Sequence, residues 1–209
     1  MLTLGKLLSK GHKGWLMAKI EGKDTLLHYG LRLKILDANK SYQKILILEG
    51  RYEGLVAEIP YFIKDKTGYV SYIDELKDKY KPLTLKYDFK RSVIIIDRLG
   101  EFSAILFGGF KPGETTYLEL PDFPHTDKLP KEYTDESIGG SRFAETWFRI
   151  ISSNKILVDS YLHFGRVSKG CLTIEYERRL NNMNIWSDIY FHLMSHRIDN
   201  KYIAKLIFK

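Results

Sequence analysis

The sequence predicts a mainly β protein, of the β-rich α+β class, built from two parts. β-branched and aromatic residues are frequent, with 14 Tyr and 11 Phe among 209 residues, and such residues favour strands. They gather in short runs that alternate with turn residues, which is typical of successive short strands. The hydrophobic share of 44% and the charged share of 28% suit a chain with a packed core. Intrinsic disorder is therefore not expected.

Residues 1–88 are expected to form a small β-rich N-terminal domain. Ser71 is a suitable cap for a helix over 72–80, and Pro82 prevents that helix from continuing. The segment 81–90 is polar and contains a proline, so the domain boundary is expected there. Strands are predicted at 25–28, 31–36, 44–48 and 55–59.

Residues 89–209 are expected to form the second domain. Ile185, Ile189 and Leu193 repeat at four-residue spacing, which predicts one amphipathic helix. The excursion 121–140 is polar and long for an unstructured loop, so a lid, a flap or a partly helical insertion is expected there. Strands are predicted at 92–97, 102–107, 115–120, 145–151, 155–163, 172–176 and 202–208.

The net charge of +7 lies mostly in the first part of the chain, because residues 1–90 hold 17 basic and 11 acidic side chains. Such a surface favours anionic partners such as nucleic acid, acidic envelope polymers or anionic lipid. The lysines are scattered singly, so ordinary solubilising charge accounts for the excess better than a dedicated basic face does.

The apolar runs of the chain predict neither a transmembrane helix nor a secretory signal peptide. No stretch reaches the roughly 18–20 apolar residues of a transmembrane helix, so membrane insertion is not expected. The N-terminus lacks the apolar run of roughly 7–15 residues that a secretory signal needs. The chain is then a cytoplasmic protein, the cargo of another export machinery, or a mature form whose leader has been removed.

Cys171 is the single cysteine of the chain. It excludes an intramolecular disulfide framework and any zinc site that needs several cysteines. A lone cysteine is either an inert small hydrophobic residue or a nucleophile. The neighbouring sequence favours the nucleophile, because His163 ends one predicted strand and Cys171 begins the next. An adjacent imidazole can accept the thiol proton and activate the sulfur.

The residues between these two strands form two short motifs. The first is His163-x-Gly165, and the second is Ser168-x-Gly170-Cys171 followed by an apolar residue. Gly170 allows an unusual backbone turn, and the N–H groups beside it can face a developing oxyanion. Ser168 can hydrogen-bond within the turn. Together the motifs resemble the catalytic signature of the L,D-transpeptidase (YkuD-like) family of cysteine acyltransferases.

That resemblance implies a β-sandwich catalytic domain over 89–209 that acts on peptidoglycan stem peptides in the cell envelope or periplasm. It implies that Cys171 is the nucleophile, which forms a thioester acyl-enzyme, and that His163 is its base. Ser168 would support the turn, and Gly170 and Gly165 would shape the turn and the oxyanion region. The reaction is transpeptidation or carboxypeptidase cleavage, and no cofactor or metal is implied.

The chain departs from the family pattern in its spacing and at two positions. The span from His163 to Ser168 is much shorter than in typical members, and Phe164 stands between His163 and the glycine. Lys169 replaces the histidine of Ser-His-Gly-Cys, and Thr173 stands where the family commonly has arginine. Arg166 or Arg142 is expected to replace that arginine as a carboxylate-binding group. Lys169 is a further candidate for substrate binding.

Two other functions stay open beside the enzyme. One is a non-catalytic cell-wall-binding module on the same scaffold, and the other, less expected, is a basic nucleic-acid-binding protein.

Several other polar residues could take part in a site, and each has an ordinary structural explanation. Asp188, His192 and His196 share one helix face but are expected to be a solvated face and not a metal site. Asp159 could orient the imidazole of His163, and it is equally expected to be simply exposed. His125 and Asp127 lie in the long excursion and could reach the site as part of a flap, but an exposed loop position is the stronger expectation for His125.

Overall fold

A computed structural model describes residues 4–7, 13–39, 41–60, 62–64, 68–70, 73–75, 80–126, 129–138, 140–151, 159–166, 170–176 and 185–209. Its contacts divide the chain into two compact units, Met1–Lys79 and Tyr80–Lys209. Strands dominate both units, and a single α-helix occurs in the described ranges. The predicted mainly β class is therefore confirmed.

The first unit contains an antiparallel sheet of seven described strands and a separate two-stranded sheet. The larger sheet has the order β3-β2-β6-β5-β4-β1-β9, and β7 pairs with β8. The strands are β1 Leu4–Leu7, β2 Trp15–Ile20, β3 Lys23–His28, β4 Arg32–Ala38, β5 Tyr42–Ile47, β6 Val56–Pro60, β7 Phe62–Lys64, β8 Gly68–Val70 and β9 Ile73–Glu75.

One face of the larger sheet forms the core of this unit, because its apolar residues alternate along the strands. Ile45 and Ile47 of β5 are fully buried, and they pack with Ala57 and Ile59 of β6. The residues between these buried positions are more exposed, so side chains along each strand alternate between the buried and the exposed face of the sheet. The period-two pattern explains why β3 to β6 were predicted close to their observed positions.

The helix predicted over 72–80 is wrong for the residues that the structure describes. Ile73–Glu75 is strand β9 and pairs antiparallel with β1. Ile73 packs against the core of the sheet, and this long-range pairing outweighs the local capping pattern. Residues 71–72 and 76–79 of the prediction lie outside the described ranges.

The described strands of the second unit form a closed barrel in the order β10-β11-β12-β16-β15-β14-β13-β17. A parallel pairing of β10 with β17 closes it, and β15 and β16 are also parallel. The strands are β10 Leu83–Asp88, β11 Val93–Ile96, β12 Gly100–Leu106, β13 Thr115–Glu119, β14 Phe148–Ile151, β15 Tyr161–Gly165, β16 Leu172–Glu175 and β17 Tyr202–Phe208.

The segment that was expected to separate the domains contains strand β10. Leu83, Leu85 and Tyr87 are buried and alternate with half-exposed residues. Strand β10 pairs antiparallel with the next strand, β11, and parallel with β17 at the far end of the chain, and only the second pairing joins distant segments. The observed division at residues 79 and 80 therefore precedes the expected boundary.

Helix α1 covers Ile185–Met194, where the four-residue spacing predicted it. Ile189, Tyr190 and Leu193 are fully buried, and the ring of Tyr190 stacks on that of Phe143 at 4.4 Å. None of the helices in the described part of the chain is long and apolar enough to cross a membrane.

The excursion after β13 is tied to the barrel and to α1 by several hydrogen bonds. It contains two short 3-10 helices, Lys131–Tyr133 and Glu136–Ile138. The Tyr176 hydroxyl donates to the Ile138 carbonyl at 2.7 Å, and the Trp186 indole N–H donates to the Phe143 carbonyl at 2.9 Å. The first bond ties the excursion to the residue after β16, and the second ties the segment that follows the excursion to α1.

Candidate active site

Two neighbouring parallel strands, β15 and β16, carry the histidine and the cysteine. In their register Leu162 lies opposite Leu172, and His163 lies opposite Thr173. Because side chains alternate along a strand, the two leucines face the core and the other pair faces the opposite side. Cys171 directly precedes β16, so the same alternation places it on the face of His163 and Thr173.

A cavity of about 760 Å³ covers this face, between the strands and the excursion. Both His163 and Cys171 line it, so the structure brings together the two residues that the sequence singled out. Most of the other lining residues are apolar or aromatic. They are Phe123, Pro124, His125, Thr126, Leu129, Pro130, Tyr133, Trp147, Asp159, Tyr161 and Phe164.

The imidazole of His163 is buried and held by contacts at both nitrogens and on its ring face. Nδ1 lies 3.3 Å from the Phe164 carbonyl oxygen, and Nε2 lies 3.0 Å from the Thr173 hydroxyl. The ring stacks on the indole of Trp147, with 4.3 Å between centroids. These three contacts leave the imidazole little rotational freedom.

The partners of His163 determine its tautomer. A carbonyl oxygen only accepts hydrogen bonds, so Nδ1 must carry the proton and donate to Phe164. Nε2 then has the lone pair and accepts from the Thr173 hydroxyl. The basic nitrogen of the neutral imidazole is therefore Nε2.

Burial lowers the pKa of His163 from its ordinary 6.5 to about 4, and the hydrogen bond to the Phe164 carbonyl opposes this shift. The imidazole is consequently neutral near pH 7, the form in which it can accept a proton. Because a general base works best when its pKa lies near the operating pH, a pKa of about 4 makes this imidazole a weak base for the thiol.

Cys171 is also largely buried, with 6% of its surface exposed. It packs with Trp147 and Tyr161, and Leu129 of the excursion packs against this cluster. Its carbonyl accepts a hydrogen bond from the Phe107 N–H at 3.0 Å, which joins the residue to the end of β12. Cys171 thus lines the cavity from within an apolar cluster.

The glycines of the two motifs have different structural roles. Gly170 has φ +78°, the left-handed region that favours glycine, and nothing lies within 4 Å of a Cβ built there. The unusual backbone expected at this position is present. At Gly165 a Cβ would lie 3.3 Å from Cε2 of Tyr133, so this glycine permits close packing of the excursion on β15.

Tyr161 forms the wall of the cavity beside Cys171. Burial, followed by the negative charge of Asp122, raises the pKa of Tyr161 to about 12. The phenol is therefore protonated at any physiological pH. Its neutral hydroxyl can donate or accept a hydrogen bond, and it does not act as a phenolate. The sequence signal for Tyr161 is its position two residues before His163, on the same face of the strand.

The indole ring of Trp147 stacks against two imidazole rings in the cavity. Its ring lies 4.3 Å from that of His163 and 4.2 Å from that of His125, and its indole N–H donates to the Ala144 carbonyl at 3.0 Å. His125 is 6% exposed, so the expectation of an exposed loop histidine is wrong. The ring that buries His125 comes from a distant segment, so no local sequence signal could have found it.

The two arginines expected to bind a carboxylate point elsewhere. Arg166 lies 3.6 Å from Glu132 and its guanidinium is 5.0 Å from the ring centroid of Tyr176. Arg142 lies 3.9 Å from Glu136. Neither arginine is among the described lining residues. Ser168 and Lys169, together with Asp127, lie outside the described residues.

Asp159 lines the cavity but does not hold the imidazole, because Phe164 and Thr173 occupy the two nitrogens of His163. It is the single charged side chain among the described lining residues. The cavity therefore presents a carboxylate and no arginine or lysine in its described lining.

The His192 and His196 pair on α1 and the turn after it is structural. Nε2 of His192 donates to the Asp97 carbonyl at 2.9 Å, and Nδ1 of His196 donates to the His192 carbonyl at 2.7 Å. Within the described ranges, no group of three or more His, Cys, Asp or Glu side chains is placed to hold a metal ion.

Comparison of the chain with protein-family models, with curated proteins and with solved structures finds no match. The geometry of the site is that of a neutral imidazole and a thiol, carried by β15 and by the residue before β16, that line one cavity.

Proposed function

We propose that the chain is a cysteine acyltransferase or peptidase of the L,D-transpeptidase type, which acts on peptidoglycan stem peptides through a thioester on Cys171. One observation carries the proposal: Cys171 and His163, from neighbouring parallel strands, line the same cavity. The two motifs that contain them supply the reaction type and the substrate class.

In the first half-reaction the Cys171 sulfur attacks the carbonyl carbon of a stem-peptide bond, and its proton passes to Nε2 of His163. The carbonyl oxygen becomes an oxyanion in the tetrahedral intermediate. Collapse of this intermediate breaks the C–N bond, and His163 returns the proton to the leaving amine. The product of this half-reaction is the thioester.

In the second half-reaction an amine or a water molecule attacks the thioester carbon. His163 removes a proton from this nucleophile and returns it to the Cys171 sulfur as the C–S bond breaks. An amine gives transpeptidation, and water gives carboxypeptidase cleavage. Cys171 and His163 end each cycle as thiol and neutral imidazole.

The low pKa of His163 determines when the proton moves. A buried imidazolium is unfavourable when its pKa is about 4, so the empty site holds a thiol and an imidazole and not an ion pair. In the proposed reaction, proton transfer therefore accompanies attack on the substrate. This differs from cysteine enzymes that keep a preformed thiolate.

Substrate recognition in this proposal does not depend on Arg166 or Arg142, because both pair with glutamates away from the cavity lining. The aromatic wall would bind the apolar parts of the peptide by burial. Lys169 keeps its predicted role as a substrate-binding cation. The basic N-terminal unit would bind wall polymer or a partner, and the proposal assigns the protein to the cell envelope.

Intact-mass spectrometry tests the proposal. The chain is incubated with a stem tetrapeptide and, separately, with a carbapenem, which acylates such thiols. We expect a covalent adduct on Cys171 that is absent in Cys171→Ser and forms at least tenfold more slowly in His163→Gln. A wild-type thiol that stays unmodified at long times would show the proposal to be wrong.

A second candidate function is a non-catalytic cell-wall-binding module. It is favoured by the 6% exposure of Cys171 and by the Thr173 hydroxyl that occupies Nε2 of His163. In that case the chain would sediment with purified peptidoglycan, Cys171→Ala would sediment equally well, and neither acylating reagent would modify the wild-type thiol.

A further inference from the structure

The hydroxyl of Tyr161 is a buried polar group in the wall of the cavity. Tyr161 is 8% exposed and lines the cavity. Among the described residues, none forms a hydrogen bond with this hydroxyl. Buried polar groups in proteins nearly always have a hydrogen-bond partner. The partner of this hydroxyl is therefore a molecule that enters the cavity, either water or a ligand.

The charged groups that act on this hydroxyl are mainly carboxylates. Burial is the main cause of the raised pKa of Tyr161, the negative charges of Asp122 and Asp159 add to it, and the positive charge of Arg149 opposes it. Asp159 lines the cavity. Arg149 lies opposite Tyr161 in the β14–β15 pair, and its guanidinium is 4.0 Å from the Glu119 carboxylate. Carboxylates thus outnumber cations around the hydroxyl in the described structure.

This end of the cavity favours a ligand with a positive charge. A cation is attracted by the carboxylate of Asp159, and an N–H of the cation can donate a hydrogen bond to the oxygen of Tyr161. An anion is repelled by the same carboxylate. The faces of aromatic rings also attract cations, and Phe123, which lines the cavity, is 42% exposed.

The remaining lining favours an aliphatic chain behind that charge. Leu129, Pro130 and Phe164 contribute apolar surface to the cavity, and a carbon chain gains free energy when it leaves water for such a surface. The volume of about 760 Å³ lies in the range of ligand-binding pockets. A ligand with an aliphatic stem and a terminal ammonium group combines both requirements.

We propose that the cavity binds an aliphatic ammonium group, with its nitrogen between the Asp159 carboxylate and the Tyr161 hydroxyl and its carbon chain against Phe123 and Leu129. Asp159 is then a specificity-determining residue. The inference deepens the proposed function and rests on it for the role of the cavity as a substrate site. Binding of the ammonium group itself needs no reaction at Cys171.

Titration of the full chain with n-pentylammonium chloride and with n-pentanol tests this inference. The two probes have the same carbon chain, and only the first is charged. Binding is followed by NMR through the backbone amides of 122–126, 147 and 161. We expect the ammonium to bind about three- to fivefold more tightly than the alcohol, the effect of an exposed ion pair.

Two variants separate the charge from the hydrogen bond. In Asp159→Asn the preference for the ammonium should fall by at least about half, and the affinity for pentanol should stay the same. Tyr161→Phe keeps the ring and removes the hydroxyl, so it should weaken both probes by about two- to tenfold.

Asp97→Asn is the matched control for the loss of one carboxylate. Asp97 follows β11 in the same unit, its side chain is 60% exposed, and it is not among the described lining residues. At constant ionic strength, this variant should bind both probes as the wild type does. An equal loss of preference in Asp97→Asn and Asp159→Asn would indicate net charge alone and would overturn the inference.

The remaining outcomes distinguish the inference from the proposed function. Equal affinities of the wild type for the two probes, or an unchanged preference in Asp159→Asn, would overturn the ammonium site even if a carbapenem acylates Cys171. Selective ammonium binding by a chain whose thiol is never acylated would support the site and show the proposed reaction to be wrong.

Discussion

Nε2 of His163 lies 3.0 Å from the Thr173 hydroxyl, which belongs to the residue directly opposite in the parallel β15–β16 pair. The hydroxyl donates and Nε2 accepts, because Nδ1 donates to the Phe164 carbonyl. Thr173, two residues after Cys171, therefore places a neutral hydrogen-bond donor on the nitrogen proposed to accept the thiol proton.

Thr173→Val should raise the pKa of His163 by about one unit, because it removes a hydrogen bond that stabilises the neutral imidazole. The change is measured by NMR titration of the ring, and in an active protein the acid limb of the rate profile should move to higher pH. Thr116→Val is the control, since the Thr116 hydroxyl is buried in β13 without a hydrogen-bond partner in the described structure. An unchanged His163 pKa in Thr173→Val would contradict the assigned tautomer.

His163 should make the free energy of unfolding depend on pH between 6.5 and 4. The folded pKa of about 4 lies below the unfolded value of 6.5, so the unfolded state binds the proton first as the pH falls. Stability is complete above pH 6.5 and decreases toward pH 4, by on the order of 3 kcal/mol. Urea unfolding of the wild type and of His163→Gln measures the difference, and equal pH slopes in both would disprove it.

Gly170→Ala should cost about 1–2 kcal/mol of unfolding free energy, because alanine is strained at φ +78°. Gly22→Ala is a matched control, since Gly22 has φ +77° and equally open surroundings in the first unit. Both variants should lose similar stability in urea unfolding. In the proposed reaction only Gly170→Ala should slow acylation of Cys171, and equal acylation by the two variants would argue against a role for this turn.

Gly140→Ala should loosen the packing of the segment 129–147, which contributes residues to the lining of the cavity. A Cβ at Gly140 would lie 2.5–2.7 Å from the carbonyl oxygens of Glu132, Tyr133 and Asp135, so the backbone has to move. We expect faster hydrogen exchange in 129–147 and a smaller change elsewhere in the barrel. Gly113→Ala is the control in the same unit, because its surroundings are open. Unchanged exchange in 129–147 would show that the loop tolerates the methyl group.

Elements with local signals were predicted well from the sequence. Helix α1 follows from the four-residue spacing of Ile185, Ile189 and Leu193, and β16 follows from the apolar run after Cys171. Strands β1, β2, β7, β8, β9 and β10 were not predicted. Strand β9 pairs with the distant β1, and there the long-range pairing overrides the local helical preference. Strands β2 and β10 pair with the strands that directly follow them, β3 and β11, so a distant partner does not explain their omission.

In the candidate site, too, some residues could be predicted from local sequence and others could not. His163, Gly170 and Cys171 were singled out from their spacing and their motifs. A turn that brings a strand end and the next strand start to one edge is not what joins them, because β15 and β16 are parallel and His163 lies in the middle of β15, opposite Thr173. His125 was misjudged, since its burial depends on stacking against Trp147. Thr173 has an ordinary residue type, and only the register of β15 with β16 shows what it contacts.

Taken alone, the sequence determined that the chain is mainly β, that its one cysteine cannot form an internal disulfide, and that a histidine and a glycine turn precede it. These properties depend on composition and on neighbours within a few residues. The tertiary structure decided which nitrogen of His163 is basic, how far its pKa falls, and which charges surround the buried hydroxyl of Tyr161. Each of these depends on burial and on groups from other segments of the chain, which no local pattern encodes.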